Sequence, residues 1–164
     1  MARVYLSLGS NLEPQRYLPA ALAELRGRFG DIAVSPAYRS KAVGFDGADF
    51  VNLAVGLDTG LSPTDLNDWL HALEDRQGRR RDVPRFHDRT LDLDIVFYDD
   101  LVIQGPGHLQ IPRGEIRHAF VLRPMADIAP DLRHPVSGAR MADLWRAFPA
   151  EREPLSVVAL DLSS

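Results

Sequence analysis

The sequence predicts an α+β fold in which helices pack on an antiparallel sheet of the split βαβ type. The first observation is the order of the predicted elements, which is strand, helix, strand, strand, helix, strand over residues 3–98. The second is the composition, because 164 residues with 45% hydrophobic and 26% charged side chains suit one globular domain. We therefore expect a single domain over residues 1–164, in which 149–164 is a C-terminal extension without an assigned role.

The first elements follow from hydrophobic periodicity and from turn residues. Alternating β-branched and aromatic residues from Arg3 to Leu8 predict a strand. Proline is favoured in the first turn of a helix, so Pro14 and the apolar spacing that follows predict a helix ending at Gly30. Two further strands are predicted over residues 32–38 and 50–57, joined by a loop.

The second half of the chain begins with a clear helix signal. Ser62 before Pro63 is typical of an N-cap followed by the first helical residue, and Gly78 is expected to end this helix. Residues 91–98 have the most regular strand pattern, and an irregular stretch is expected after them. Shorter predicted elements are strands at 101–103, 119–122 and 155–160 and helices at 125–128 and 141–148.

Composition and charge exclude several classes of protein. The chain has no cysteine, which excludes disulfides, thiolate metal sites and thiol nucleophiles. No apolar run approaches the roughly 20 residues of a membrane helix, and the N-terminus does not resemble a signal peptide. We therefore expect a soluble, cytoplasmic protein. The net charge of −4 argues against general binding to nucleic acid or to anionic membranes.

A basic cluster nevertheless lies between the second helix and the strand that follows it. Six arginines fall within fourteen residues: Arg76, Arg79, Arg80, Arg81, Arg85 and Arg89. A local basic cluster in an acidic chain favours a local anionic ligand. The alternative interpretation is a solvated surface loop over 79–89.

Asp92 and Asp94 are the strongest chemical signal in the chain. On a strand, alternate side chains share a face, so the two carboxylates are expected to point together about 6–7 Å apart. The apolar side chains that alternate with them along the strand are expected to point toward the helices: Leu91, Leu93, Ile95 and Phe97. Such carboxylates can bind one or two magnesium ions, which also recruit phosphate oxygens. Paired aspartates are also common on solvated sheet edges, but the neighbouring arginines favour a nucleotide phosphate site.

Asn52 interrupts an apolar strand and has the same parity as Phe50. A buried amide must find hydrogen-bond partners, and an amide beside an aromatic ring suits a flat heteroaromatic ligand. The alternative is that the amide caps a neighbouring loop. Residues 9–11 lack the Gly-x-x-x-x-Gly-Lys pattern of a phosphate-binding P-loop and are interpreted as a turn.

Six motifs in order resemble the 6-hydroxymethyl-7,8-dihydropterin pyrophosphokinase family over roughly residues 3–145. They are Val4–Asn11, Tyr38–Ser40, Phe50–Asn52, Glu74–Arg79, Arg89–Asp94 and Phe120–Pro124. The resemblance implies a ferredoxin-like fold and a monomer. It also implies an enzyme of folate biosynthesis that transfers pyrophosphate from ATP to the hydroxymethyl group of the pterin, releasing AMP.

The same resemblance implies roles for individual residues. Asp92 and Asp94 would hold two magnesium ions on the triphosphate. The pterin would be bound by Ser40, Val43, Phe50, Asn52 and Phe120. ATP would be contacted by His71, Glu74, Arg79, Arg81, Arg89, Arg113 and His118. The catalytic set would be Arg79, Arg81, Arg89, Asp92 and Asp94.

The chain departs from the family pattern near its pterin aromatic. Pro112-Arg113 stands where many members have Pro-His, and either Arg117 or His118 takes the place of a later arginine. Which of these side chains touches phosphate stays open at the level of sequence.

The expected mechanism relies on positioning and on charge neutralisation. The pterin hydroxyl would attack the β-phosphorus of ATP, and the sequence shows no obvious general base for that oxygen. Competing hypotheses are an RNA-binding module, a regulatory domain that binds a ligand without turnover, and a metal-dependent transferase with another acceptor. The aspartates on the expected fourth strand argue against RNA, since without metal they would repel phosphate.

Overall fold

The computed structural model describes residues 1–41, 49–78, 90–104 and 109–162. The strands in these residues are β1 Ala2–Ser10, β2 Ala33–Val34, β3 Ala37–Ser40, β4 Phe50–Thr59, β5 Asp92–Tyr98, β6 Ile103–Gln104, β7 Gln110–Ile111 and β8 Ser156–Val158. The α-helices are α1 Pro14–Phe29, α2 Pro63–Arg76, α3 Ala119–Ile128 and α4 Met141–Ala147, and two 3-10 helices span Gly114–Arg117 and Ala150–Arg152. Nowhere in the described part of the chain is a helix long and apolar enough to cross a membrane.

Six of the strands form one antiparallel sheet. Its order is β5-β1-β4-β3-β8, and β2 also pairs with β4. The central pair is β1 with β4, in register from Ala2 opposite Thr59 to Ser10 opposite Val51. The order of β5, β1, β4 and β3 is that of a ferredoxin-like split βαβ sheet, as the sequence predicts.

One face of this sheet packs against α1 and α2. The alternate residues Val4, Leu6 and Leu8 of β1 are fully buried there. They meet leucines from both helices, including Leu22 and Leu70. Burial of this continuous apolar layer is the main contribution to folding.

The opposite face is covered in part by α3 and α4. Ala54 of β4 packs there with Val121, Met125 and Met141. Phe97 also lies in this second cluster, so the prediction that it points toward the first two helices is wrong. The reason is a register shift in the pairing of β1 with β5, where Tyr5 pairs with Phe97 and the next residue pairs with Ile95. The extra residue in β5 reverses the side-chain alternation beyond it.

The predicted ends of α1 and α2 are confirmed by their caps. The Ser62 hydroxyl oxygen accepts a hydrogen bond from the Asp65 backbone N–H at 3.1 Å, as an N-cap does. Gly30 and Gly78 follow the two helices with φ of 81° and 85°, the left-handed region that glycine adopts without a steric penalty.

Three predicted elements differ in the structure. The strand predicted over 32–38 is two strands, because Pro36 has no N–H to donate and Ser35 supplies its hydroxyl oxygen to the Ala54 N–H at 2.8 Å. Residues 119–122, predicted as a strand, begin α3 instead. The buried positions of that helix repeat at helical spacing, a period that a four-residue apolar run is too short to reveal. The short strand predicted at 101–103 forms only over Ile103–Gln104.

Candidate active site

Three polar residues and Gly9 form a row across four strands on the α3 face of the sheet. Tyr38 pairs with Asn52, Asn52 pairs with Gly9, and Gly9 pairs with Asp92. Directly paired residues in an antiparallel sheet share a face, so their side chains point toward the same region. The strand pairing therefore places the predicted pterin amide and the first predicted metal ligand in one row, separated by the width of β1.

Gly9 is a steric requirement of this row. A Cβ at that position would lie 2.4 Å from the Asn52 Oδ1 and 3.8 Å from a ring carbon of Phe50. The Asn52 side chain therefore extends over the Gly9 backbone, and it is buried at 5% relative exposure. Only a residue without a side chain leaves the amide in this position.

Asp92 and Asp94 point to the same face of β5, as predicted. Both are half-buried, while Leu93 between them is buried on the opposite face, in the apolar layer under α1 and α2. Burial, followed by the charge of Asp92, raises the pKa of Asp94 to about 7 from its usual 3.8. The guanidinium of Arg113 acts in the opposite direction, and its Nη2 lies 3.6 Å from the Asp94 Oδ1.

This donor set fits magnesium in its chemistry. A half-buried carboxylate that resists ionisation beside a second carboxylate is an electrostatic arrangement that a divalent cation relieves. Within the described ranges, no group of three or more histidine, aspartate or glutamate side chains is close enough to hold a metal ion on its own. A cation bound here would therefore take its remaining ligands from water and from substrate oxygens, which is usual for magnesium.

Glu74 has a contact that the sequence did not predict. Its side chain is buried at 2% relative exposure, and its Oε2 accepts a hydrogen bond from the Leu93 backbone N–H at 2.6 Å. Leu93 lies in β5, the last strand of the sheet on that side, between the two aspartates. Glu74 thus satisfies a backbone donor of an edge strand and connects α2 to the strand that bears the predicted metal ligands.

A cavity of about 330 Å³ lies beside β3 and the start of α3. Ser40, Lys41, His118 and Phe120 line it, together with residues 152–155 of the C-terminal segment. Ser40 pairs with Phe50 across β3 and β4, next to the row that contains Asn52. The described members of the predicted pterin set therefore lie around one region of the α3 face.

His118 contacts an aromatic ring and a carboxylate. Its ring stacks on Phe120, with centroids 5.3 Å apart and planes 12° from parallel. Its Nδ1 lies 3.3 Å from the Glu153 Oε1. The same carboxylate oxygen accepts a hydrogen bond from the Ala119 backbone N–H at 3.0 Å, at the first residue of α3.

Tyr38 is the second residue that sequence reasoning missed. Its hydroxyl hydrogen-bonds to the Asp127 carboxylate and accepts from Arg123 Nε at 3.1 Å. These hydrogen bonds connect β3 to α3, the helix that carries Phe120. The only sequence signal for this role was the place of Tyr38 in a motif, because its partners lie about 85 residues away and no local pattern links them.

The predicted site residues that the structure describes fall into three groups. Asp92, Asp94 and Arg113 come together at the start of β5. The described pterin set gathers near Asn52, and His118, which the resemblance assigned to ATP, lies there beside Phe120. His71 and Glu74 lie on α2, on the other side of the sheet from Phe120. Val43, Arg79, Arg81 and Arg89, and with them the basic loop, lie outside the described residues. Every assigned role stays a prediction.

The comparison with known families decides the identity. The family model of 7,8-dihydro-6-hydroxymethylpterin-pyrophosphokinase, abbreviated HPPK, matches residues 5–130 of this chain. The chain belongs to the HPPK family. This match favours the pyrophosphokinase interpretation over the RNA-binding module and the regulatory domain.

Curated HPPK relatives match over most of their length. A 2-amino-4-hydroxy-6-hydroxymethyldihydropteridine pyrophosphokinase of Pseudomonas aeruginosa is 45% identical over 155 residues, which are 91% of this chain and 93% of that protein. The protein of the same name from Haemophilus influenzae is 39% identical over 142 residues, 84% of this chain and 88% of its own.

Solved structures of HPPK-DHPS from Plasmodium falciparum share the fold. The wild-type protein with pteroate has a TM-score of 0.69 at 15% identity, and a triple mutant with pteroate has a TM-score of 0.74 at 14% identity. This chain is covered to 88% and 92%, but it spans only 42% and 44% of those longer chains. At such low identity the likeness confirms the ferredoxin-like HPPK fold alone.

Proposed function

We propose that this HPPK-family chain transfers pyrophosphate from ATP to the hydroxymethyl group of 6-hydroxymethyl-7,8-dihydropterin and releases AMP, a step of folate biosynthesis. The observation that carries the proposal is the row from Asp92 through Gly9 to Asn52 on one face of the sheet. The proposed metal and phosphate site at Asp92 and the proposed site for a flat heteroaromatic ring at Asn52 then lie side by side. A triphosphate on the first can present its β-phosphorus to a hydroxymethyl group attached to the second.

We infer that Asp92 and Asp94 hold magnesium, in the predicted number of two ions. The support is the pair of carboxylates on one face and the raised pKa of Asp94. Magnesium held by these carboxylates would neutralise charge on the triphosphate and favour its orientation for in-line displacement.

The pterin ring is held by the chain's own amide and aromatic groups. The Asn52 amide offers both donors and an acceptor to the edge of a pterin, which carries complementary groups. We assign Phe50 and Phe120 to the two faces of the ring. The amide is fixed by its burial over Gly9, so little side-chain freedom is lost on binding.

We assign Arg113 to contact with the transferred phosphates. It already lies 3.6 Å from Asp94 and its Nε donates to Glu115 Oε2 at 2.9 Å, so it is held next to the predicted metal position. A fixed guanidinium at that place stabilises charge that develops on phosphate oxygens during transfer. We assign the rate acceleration of pyrophosphate transfer to this electrostatic stabilisation and to the orientation of the two substrates.

The test is AMP formation by the purified chain. AMP is expected only when ATP, magnesium and 6-hydroxymethyl-7,8-dihydropterin are all present, and AMP that forms without the pterin would contradict the proposal. Asp92→Asn is expected to lower kcat/KM by at least about 100-fold, since it removes a metal ligand.

Asp58→Asn is the matched control for that variant. Asp58 is an exposed aspartate of β4. It lies far along the sheet from the site, where its Oδ1 is 3.5 Å from the Arg3 Nη1. This substitution is expected to leave the activity unchanged. Equal losses in the two variants would mean that Asp92 has no special role.

A further inference from the structure

The C-terminal segment that follows α4 reaches the site, although it lies beyond the residues matched by the family model. After the 3-10 helix Ala150–Arg152, the chain passes Glu153 and Pro154 and then pairs as β8 with β3. In that pairing Val157 lies opposite Tyr38 and Ser156 lies opposite Arg39. The segment is therefore fixed to the strand that leads into Ser40.

Residues 152–155 form one wall of the cavity that Ser40 and Phe120 also line. Glu153 is the residue of this wall with polar contacts to the rest of the site. Its Oε1 accepts from the Ala119 N–H at 3.0 Å and lies 3.3 Å from the His118 Nδ1. The side chain of His118, the N-cap residue of α3, makes no hydrogen bond to a backbone N–H of the first turn. Glu153, 34 residues beyond Ala119 in the sequence, supplies that acceptor instead.

These contacts determine the position of Phe120. The Ala119 N–H is the donor immediately before Phe120, so the cap fixes the backbone that carries the ring. The His118 ring, held by the same carboxylate, covers one face of Phe120 in a stacked arrangement. A flat ligand is then expected to stack on the other face of Phe120.

We propose that Glu153 is a positioning residue of the pterin site, which acts by fixing His118 and the start of α3 so that one face of Phe120 is presented to the pterin. This inference rests on the proposed function. It assigns a role to the C-terminal extension, for which the sequence indicated none.

The experiment compares Glu153→Gln with wild type in two separate titrations, one with the pterin and one with ATP. The expected result is a pterin Kd raised about tenfold, which corresponds to the loss of one charge-assisted contact, with an unchanged Kd for magnesium-ATP. KM for the pterin should rise in parallel while kcat changes by less than about threefold. Glu151→Gln is the control, because Glu151 is an exposed residue of the same turn and should change neither constant.

A role through His118 predicts non-additivity. Substitution His118→Ala should weaken pterin binding in the wild type, and it should add little in the Glu153→Gln background. Glu153→Asp, which keeps the charge on a shorter side chain, should recover part of the affinity and serves as the second variant if Glu153→Gln does not fold.

The outcomes separate this inference from the function on which it rests. Wild-type protein without pterin-dependent AMP release refutes the proposed function. If the wild type is active, two results for Glu153→Gln overturn only the role of Glu153. One is a Kd for the pterin within twofold of the wild-type value, and the other is an equal weakening of ATP binding.

Discussion

Replacement of Gly9 by alanine perturbs the pterin amide through a single added methyl group. The new Cβ would lie 2.4 Å from the Asn52 Oδ1, whereas ordinary van der Waals contact begins at 3.4 Å. The amide oxygen must therefore move by about 1 Å, within a buried environment that resists such shifts. Because φ of Gly9 lies outside the left-handed region, the cost is a steric one and does not come from backbone strain.

Two magnitudes follow from this displacement. Overpacking at a buried position costs about 1–3 kcal/mol of the free energy of unfolding. A binding group displaced by about 1 Å can lower the rate up to about 100-fold, so we expect kcat/KM for the pterin to fall about 10- to 100-fold. The affinity for magnesium-ATP should stay at the wild-type value, because the atoms nearest to the added methyl group belong to Asn52 and Phe50 and not to the aspartates.

The assay is AMP formation at varied pterin concentration, with ATP binding measured separately by calorimetry. Gly27→Ala provides the matched control, since Gly27 lies exposed inside α1 and a Cβ there would meet nothing within 4 Å. That control should stabilise the protein by about 0.5–1 kcal/mol and leave the kinetics unchanged. Gly9→Ala with a kcat/KM for the pterin within threefold of wild type would refute the steric argument.

Substitutions at three further residues test the electrostatics and the supports of the site. A native pKa of about 7 for Asp94, against its usual 3.8, means that the metal-free protein loses stability as the pH rises through this interval. Asp94→Asn should therefore raise the free energy of unfolding of the metal-free protein by about 1–2 kcal/mol at pH 8 and leave it unchanged at pH 4. This magnitude is reduced because the Asp94 side chain is one-third exposed. Equal changes at both pH values in urea denaturation would contradict the prediction. Glu74→Ala should lower the free energy of unfolding by about 1–3 kcal/mol, because the Leu93 N–H loses its acceptor. Glu74→Gln keeps an acceptor oxygen and should lower it by less. A larger loss for Glu74→Gln than for Glu74→Ala in thermal unfolding would exclude that contact. Tyr38→Phe should cost about 1 kcal/mol by removing the hydroxyl that binds Asp127, and an unchanged melting temperature would show that the bond contributes nothing.

Local patterns were sufficient for the parts of the fold that depend on neighbouring residues. The ends of α1 and α2 follow from proline, serine and glycine acting within one turn, and all of these signals are confirmed. The common face of Asp92 and Asp94 also follows from strand alternation alone. In β5, alternation failed from Phe97 onward, because an extra residue reverses the faces and leaves no mark in the local sequence.

Contacts between distant residues were not predictable from the chain alone. The Glu74 carboxylate meets Leu93, and Glu153 meets Ala119, across separations that no sequence period spans. The strand at the end of the chain is confirmed over Ser156–Val158, but its position beside β3, and hence beside the cavity, depends on tertiary pairing. The single-domain organisation, the monomeric state and the cytoplasmic location stay predictions.

The site residues themselves came from the resemblance more than from physical pattern. A lone Asp-x-Asp or a lone asparagine in a strand has several ordinary explanations, and only their order along the chain selected the family. The structure adds the reason for their spacing, since Gly9 and Asn52 are paired residues and Asp92 is the next residue across the sheet.

The position of bond cleavage in ATP is the most direct test of the proposed reaction. Phosphorus NMR of wild-type protein with ATP, magnesium and 6-hydroxymethyl-7,8-dihydropterin should show AMP and a pterin diphosphate ester forming in equal amounts. Those products require attack at the β-phosphorus and cleavage between the α- and β-phosphates. Formation of ADP with a pterin monophosphate would show attack at the γ-phosphorus and would contradict the account.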